Sequence, residues 1–238
     1  MNINISNLLN VTGKLIRYNF RIIFAGRFIW FVLAALTFFL FIAVYSIMKD
    51  NTSPDEEFLY NCMMFPAVLL IFYPMTFGVQ NDVDAGVLEI LFGIPDYRYK
   101  VWLLRLLMVF LLIFIMLACL TALGSLLLIP TNILEMTGHV IFPVFFIGNM
   151  AFMFSTIVRN GNGTAVVMVI ALIICFAISG NMSQSRFDVF LNPYKVPNNM
   201  NEIIWQGVVS NNRLMLITGG ITFILVGLLN LQKREKFI

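Results

Sequence analysis

The chain has 238 residues, of which 60% are hydrophobic and only 11% charged, with 24 Phe and a net charge of +3. Soluble domains carry about a quarter of their residues as charges, so this composition excludes an ordinary soluble fold and predicts an integral membrane protein. Cys62, Cys119 and Cys175 all lie in apolar runs, where they read as small buried hydrophobes with no disulfide framework and no metal site. The lone His139 reads as an interfacial side chain at a helix start.

Residues 1–27 do not read as a signal peptide, because the apolar core that follows the basic region is too long and lacks a small-residue cleavage site. Lys14, Arg17 and Arg21 recur at helical spacing, with Leu15, Ile16, Phe20 and Ile22 supplying apolar bulk. That pattern fits an interfacial amphipathic helix or, alternatively, a basic flank of the first span.

Six stretches free of Asp, Glu, Lys and Arg follow, at 28–48, 58–81, 106–129, 136–158, 160–185 and 214–232. Each approaches the ~20 residues that cross the ~30 Å hydrocarbon core as a helix. The loop 49–57 is short enough that the first two spans form one hairpin. A tight reversal is expected at Arg159, Gly161 and Gly163. The stretch 186–213 is too apolar for a plain linker and too broken by Pro193, Pro197 and its Asn residues for a span. It reads as a segment lying on or dipping into the outer leaflet with Tyr194 and Trp205 as interface anchors, or as an irregular loop.

Within the second span, Asn61, Phe65, Val68, Phe72 and Thr76 fall at three- and four-residue steps on one face, and Pro66 and Pro74 are expected to bend that helix. This face could line a path for an amphipathic substrate; ordinary core packing is the alternative. The other polar residues in the spans, such as Thr121, Asn149, Ser155 and Thr156, read as packing glue or back-bonded hydroxyls.

Between the second and third spans lies the most mixed stretch of the chain, QNDVDAGVLEILFGIPDYRYKVWLLR, residues 80–105. Asp82 and Asp84 suit a helix N-terminus, Val87, Leu88, Ile90 and Leu91 supply an apolar surface, and Gly93 with Pro95 ends the helix. Arg98, Lys100 and Arg105 then return the chain to the headgroup level, with Tyr97, Tyr99 and Trp102 as interfacial rings.

The pattern carried by Asp84, Gly86, Val87, Leu88, Glu89, Ile90, Leu91, Pro95, Arg98 and Arg105 resembles the cytoplasmic coupling-helix region of the ABC type-2 transporter permeases. This chain has Val87 where the family usually has Thr, and a shorter charged lead-in that includes Gln80 and Asn81. The resemblance implies an all-α fold of six transmembrane helices with an N-terminal elbow helix over 1–27, a coupling helix in 82–105 and short re-entrant helices in 186–213. It also implies a dimer of such subunits, the second being the same chain or a homologous permease. Two separate ABC ATPase subunits would carry the ATP and Mg, leaving no cofactor on this chain.

Of the fifteen Lys and Arg residues, eleven fall on the side of 1–27, 82–105, Arg159 and 233–238 in a six-span arrangement. The positive-inside rule therefore predicts a multi-pass protein with both termini and the 82–105 helix in the cytoplasm, and the resemblance implies the bacterial inner membrane. The sequence holds no GxxxxGK[ST] phosphate loop, no HExxH and no GxSxG. It is thus expected not to be an enzyme by itself and to have no nucleic-acid partner. Charge-free spans also argue against an ion-coupled carrier. The reading that results is the permease subunit of an exporter driven by ATPases on other chains; the alternatives are a membrane anchor or assembly factor that docks a cytoplasmic partner, and an ion channel.

Overall fold

A computed structural model describes residues 28–48, 54–84, 102–158, 160–181, 185–198 and 200–231. The expected elbow helix with Lys14, Arg17 and Arg21, and the coupling residues Gly86, Val87, Leu88, Glu89, Ile90 and Leu91, lie outside the described residues. Those described form six helices and no strand: α1 (Phe28–Met48), α2 (Glu56–Asp84), α3 (Leu103–Leu127), α4 (Ile133–Val158), α5 (Gly161–Asn181) and α6 (Glu202–Asn230). All six are long and apolar enough to cross a bilayer.

Polar side chains start the helices where the apolar runs leave amide hydrogens without intrahelical partners. The Asp55 carboxylate accepts from the Phe58 amide at 2.8 Å, and Glu56 and Glu57 occupy the first turn of α2. Asn160 accepts from the amides of Asn162 and Gly163 at 2.9 and 3.2 Å, and Asn201 from that of Glu202 at 3.0 Å. These are the small amide and carboxylate caps that helix N-termini favour. The α3–α4 turn closes on Gly124, whose carbonyl accepts from Leu128 at 2.9 Å.

The helices α2 and α4 form the centre, each packed against four others, while α6 lies along α4. Small residues let these axes approach. A Cβ on Gly148 of α4 would stand 2.7 Å from Ile71 Cγ1 of α2, and one on Gly220 of α6 would stand 2.5 Å from the Phe145 ring of α4. Gly161 fits against Phe77 in the same way, so at the α4–α5 reversal it serves close packing on α2. On the periphery, α1 buries one stripe, Phe28, Ala35, Phe39 and Ala43; α5 buries little beyond Gly161, Thr164 and Met168. Their exposed Phe, Leu and Ile side chains suit contact with lipid tails.

Several expectations are corrected. The last helix starts at Glu202, twelve residues before the expected 214, so among the described residues of the expected outer segment only 186–198 and 200–201 run irregularly. Asn212 and Arg213, which look like loop residues in sequence, are buried in α6 because partners on other elements satisfy them. The helices are therefore not free of charge: Arg213 and Arg105 lie within α6 and α3. Trp205 and Trp102, expected at interfaces, are each 2% exposed. Trp205 packs with Leu191 and Val209, Trp102 against Phe152 with ring centroids 6.0 Å apart. Cys119 is exposed and Cys175 partly so, whereas Cys62 is buried; all three are free thiols. Lipid makes inward burial unnecessary for an apolar residue, which is why an apolar run does not predict burial inside the protein.

Candidate functional site

At the end of the bundle where α2, α4 and α6 begin, residues 185–198 form a strap of turns between α5 and α6. Its backbone has no helix or sheet to satisfy it, so side chains from the bundle do so. Asn212 donates to the carbonyls of Arg186 and Asp188 at 3.0 and 2.7 Å. The Tyr60 hydroxyl donates to the Leu191 carbonyl at 3.1 Å, and the Trp205 indole to that of Pro193 at 2.8 Å. The strap returns bonds of its own: the Asn192 amide donates to the Glu57 carbonyl at 3.0 Å and to Asn61 Oδ1 at 3.1 Å, and Lys195 pairs with Glu57 at 2.8 Å.

Beneath the strap sits a buried arginine. Arg213 is 6% exposed, donates to Asn212 Oδ1 at 3.2 Å and to the Tyr60 hydroxyl at 3.4 Å, and lies 5.5 Å from the Phe142 ring centroid. Among the described residues its Nε has no hydrogen-bond partner. The Asp188 carboxylate, also buried, accepts from Ser179 Oγ at 2.6 Å and from the Phe190 amide at 2.9 Å. Burial raises its pKa, while those two hydrogen bonds and the charge of Arg213 pull the other way. Burial likewise pushes the Tyr194 phenol up, with Glu135 and Glu56 adding to it. The hydrogen bond from Lys195 to Glu57 holds that ammonium above its ordinary value.

From the strap a groove of about 600 Å³ runs between α2 and α5. Asn61, Met64, Phe65 and Val68 form one wall, Val169, Leu172, Ile173 and Phe176 the other, and Phe190 of the strap closes the end. Three of the five positions expected on the substrate-facing stripe are thus brought together. Phe72 stacks instead on Phe31 of α1 with centroids 6.4 Å apart, and Thr76 is fully buried, its hydroxyl without a hydrogen-bond partner among the described residues. Helix α1 meets this α2 face at both places, through Phe38 against Phe65 with centroids 4.2 Å apart as well as Phe31 against Phe72, and the strap-side flank that includes Phe65 is also open toward α5. The α5 wall carries no polar signal in sequence.

The burial of Arg213 and Asp188 was also not legible, although α6 does show a clue. Trp205, Val209, Asn212, Leu216 and Gly220 recur at three- and four-residue steps and are all buried, which marks one helix face running through Asn212, next to Arg213. Most of the expected packing hydroxyls behave as such: Thr121, Ser155, Thr156 and Thr222 bond to carbonyls three or four residues back, while Ser179 instead tethers the strap.

At the opposite end, α2 runs to Asp84, the first residue of the expected coupling motif, and α3 takes up at Leu103. Arg105 joins the two helices there, donating to the Gly78 carbonyl at 3.2 Å and lying 5.4 Å from the Trp102 ring centroid. The arrangement offers an apolar binding surface at one end and an arginine clasp at the other; among the described residues no group of three or more His, Cys, Asp and Glu could hold a metal. No family model, curated protein or solved structure matches the chain.

Proposed function

We propose that the chain is the membrane-spanning subunit of an ATP-driven exporter resembling the ABC type-2 permeases. Two such subunits would surround the pathway, and two ABC ATPases on separate chains would engage residues 82–105 from the cytoplasm of a bacterial cell. The strap end would then face outward. One observation carries this reading: α2 is a continuous helix of 29 residues, about 43 Å long at 1.5 Å per residue. It holds the strap and one groove wall at its start and reaches the coupling motif at its end. A push on 82–105 is therefore delivered to the groove through one helix, which Pro66 and Pro74 inside it allow to bend, and packed helices of this kind switch between two arrangements.

The direct test replaces Leu88 and Leu91 by Ala together. Neither belongs to the six apolar runs expected to cross the membrane, so the double variant should reach the membrane at normal levels. Loss of two apolar anchors at an interface costs on the order of 2 kcal/mol each, so it should lose the ATPase on purification and lose ATP-dependent export. Recovery of the ATPase equal to that with the unaltered chain would overturn the assignment. A cytoplasmic partner without ATPase activity would instead identify a membrane anchor.

A further inference from the structure

We infer that the groove between α2 and α5 is a binding site for a lipid acyl chain, with Asn61 receiving the ester carbonyl where the chain joins its headgroup. The inference names the class of molecule for the path proposed above and rests on the export reading only for the direction of movement.

Four observations meet here. First, the groove, at about 600 Å³, is within the roughly 300–1,000 Å³ typical of sites that enclose a small molecule. Second, every residue lining it is uncharged, and Asn61 is the one with a polar side chain. A charged ligand would be left without a counter-charge in an apolar setting, which is strongly unfavourable, so the ligand is neutral along its length. Third, Phe65, Ile173 and Phe176 on its rim are exposed at membrane-spanning positions, so the groove opens sideways toward the hydrocarbon and an acyl chain enters without crossing water. Fourth, the polar group is at one end only. Asn61 uses its carbonyl oxygen to accept from Asn192, and its own amide makes no hydrogen bond among the described residues. A free donor at the strap end of an apolar slot matches a chain that ends in a hydrogen-bond acceptor at the headgroup level.

A second copy of the chain packing across α5 is the competing occupant. A protein helix satisfies its own backbone carbonyls and is about 10 Å across, so only a polar side chain of the second copy could meet Asn61, whereas an acyl ester carries its acceptor at one end by construction; the one-ended polarity favours the lipid.

The test uses the purified full chain in phosphatidylcholine nanodiscs containing a phosphatidylcholine with a photoreactive diazirine in its acyl chain, followed by mass-spectrometric mapping. Met64 is the reporter, because it lines the groove yet is 9% exposed. It should be labelled at least as strongly as Leu126, which is 83% exposed on α3. Leu172→Trp, which fills the slot, should cut Met64 labelling about tenfold and leave Leu126 labelling unchanged. An ether-linked probe lacking the carbonyl should label Met64 about two- to tenfold less than the ester, the ratio expected for one hydrogen bond. Asn61→Ala should abolish that ester preference while keeping the label. Labelling of Met64 no greater than that of the fully buried Met63, or chain-to-chain crosslinks through α5 in place of lipid, would overturn the inference. No ATPase is needed for any arm, so a failure here is separable from a failure of the export reading.

Discussion

Arg213 of α6 donates to the hydroxyl of Tyr60 at the start of α2, 153 residues earlier in the chain, and Tyr60 passes the relay on by donating to the Leu191 carbonyl in the strap. All three residues are buried. One phenol thus joins two helices and an irregular segment, and its oxygen serves as acceptor and donor at once.

Tyr60→Phe is expected to loosen this end of the bundle. It leaves the Leu191 carbonyl and one Arg213 nitrogen without partners, and a buried unsatisfied group costs about 1–3 kcal/mol. Thermal unfolding in detergent should shift down, and limited proteolysis should cut within 185–198 faster than in the unaltered chain. An unchanged cleavage rate would mean that the Asn192, Asn212 and Trp205 bonds hold the strap alone.

Strap docking should depend on pH through Asp188. Burial raises its folded pKa above the ordinary carboxylate value, so the docked strap holds the proton more tightly than a free segment does. The resulting stabilisation is complete below the ordinary pKa and is lost as pH rises through the raised value. Hydrogen exchange at the Phe190 and Leu191 amides, corrected for intrinsic rate, should be slower in acidic than in neutral buffer. Asp188→Asn keeps an acceptor for Ser179 and Phe190 and should remove the difference.

Two glycine substitutions should act in opposite directions. Gly148→Ala drives a methyl to 2.7 Å from Ile71 at the centre of the fold, an overpacking that costs about 1–3 kcal/mol. Gly207 is exposed in α6, with nothing within 4 Å of the site its Cβ would take. Gly207→Ala should stabilise by up to about 1 kcal/mol through helix propensity. Melting temperatures of the two variants in one detergent decide the sign of each.

The orientation read from Lys and Arg predicts that a thiol introduced at Glu56, exposed at the strap end, reacts with an impermeant maleimide in intact cells of a Cys-free background. Reaction only after the cells are broken would invert the topology and place the strap in the cytoplasm.

Helix number and the extent of the first span were legible in the sequence because the relevant physics is local. Crossing a bilayer requires a run of apolar residues of set length, and the run 28–48 coincides with α1. The start of α6 was not legible, since a polar triplet such as Asn211, Asn212 and Arg213 is excluded from hydrocarbon only if nothing in the protein satisfies it. Whether it is satisfied depends on Arg186, Asp188 and Tyr60, which are remote in the chain or belong to another element.

The same division runs through the candidate site. The periodicity of Asn61, Phe65 and Val68 is an intrinsic property of α2, and the sequence by itself determined that they share a face. Packing decided what that face meets: Phe31 of α1 takes Phe72, while α5 stands off far enough to leave the groove. Apolar side chains in a membrane carry no local mark of whether they will meet lipid, a ligand or another helix, because all three are equally apolar. Only the tertiary structure, by setting Gly148 against Ile71 and Arg213 under the strap, decided which faces closed and which stayed open.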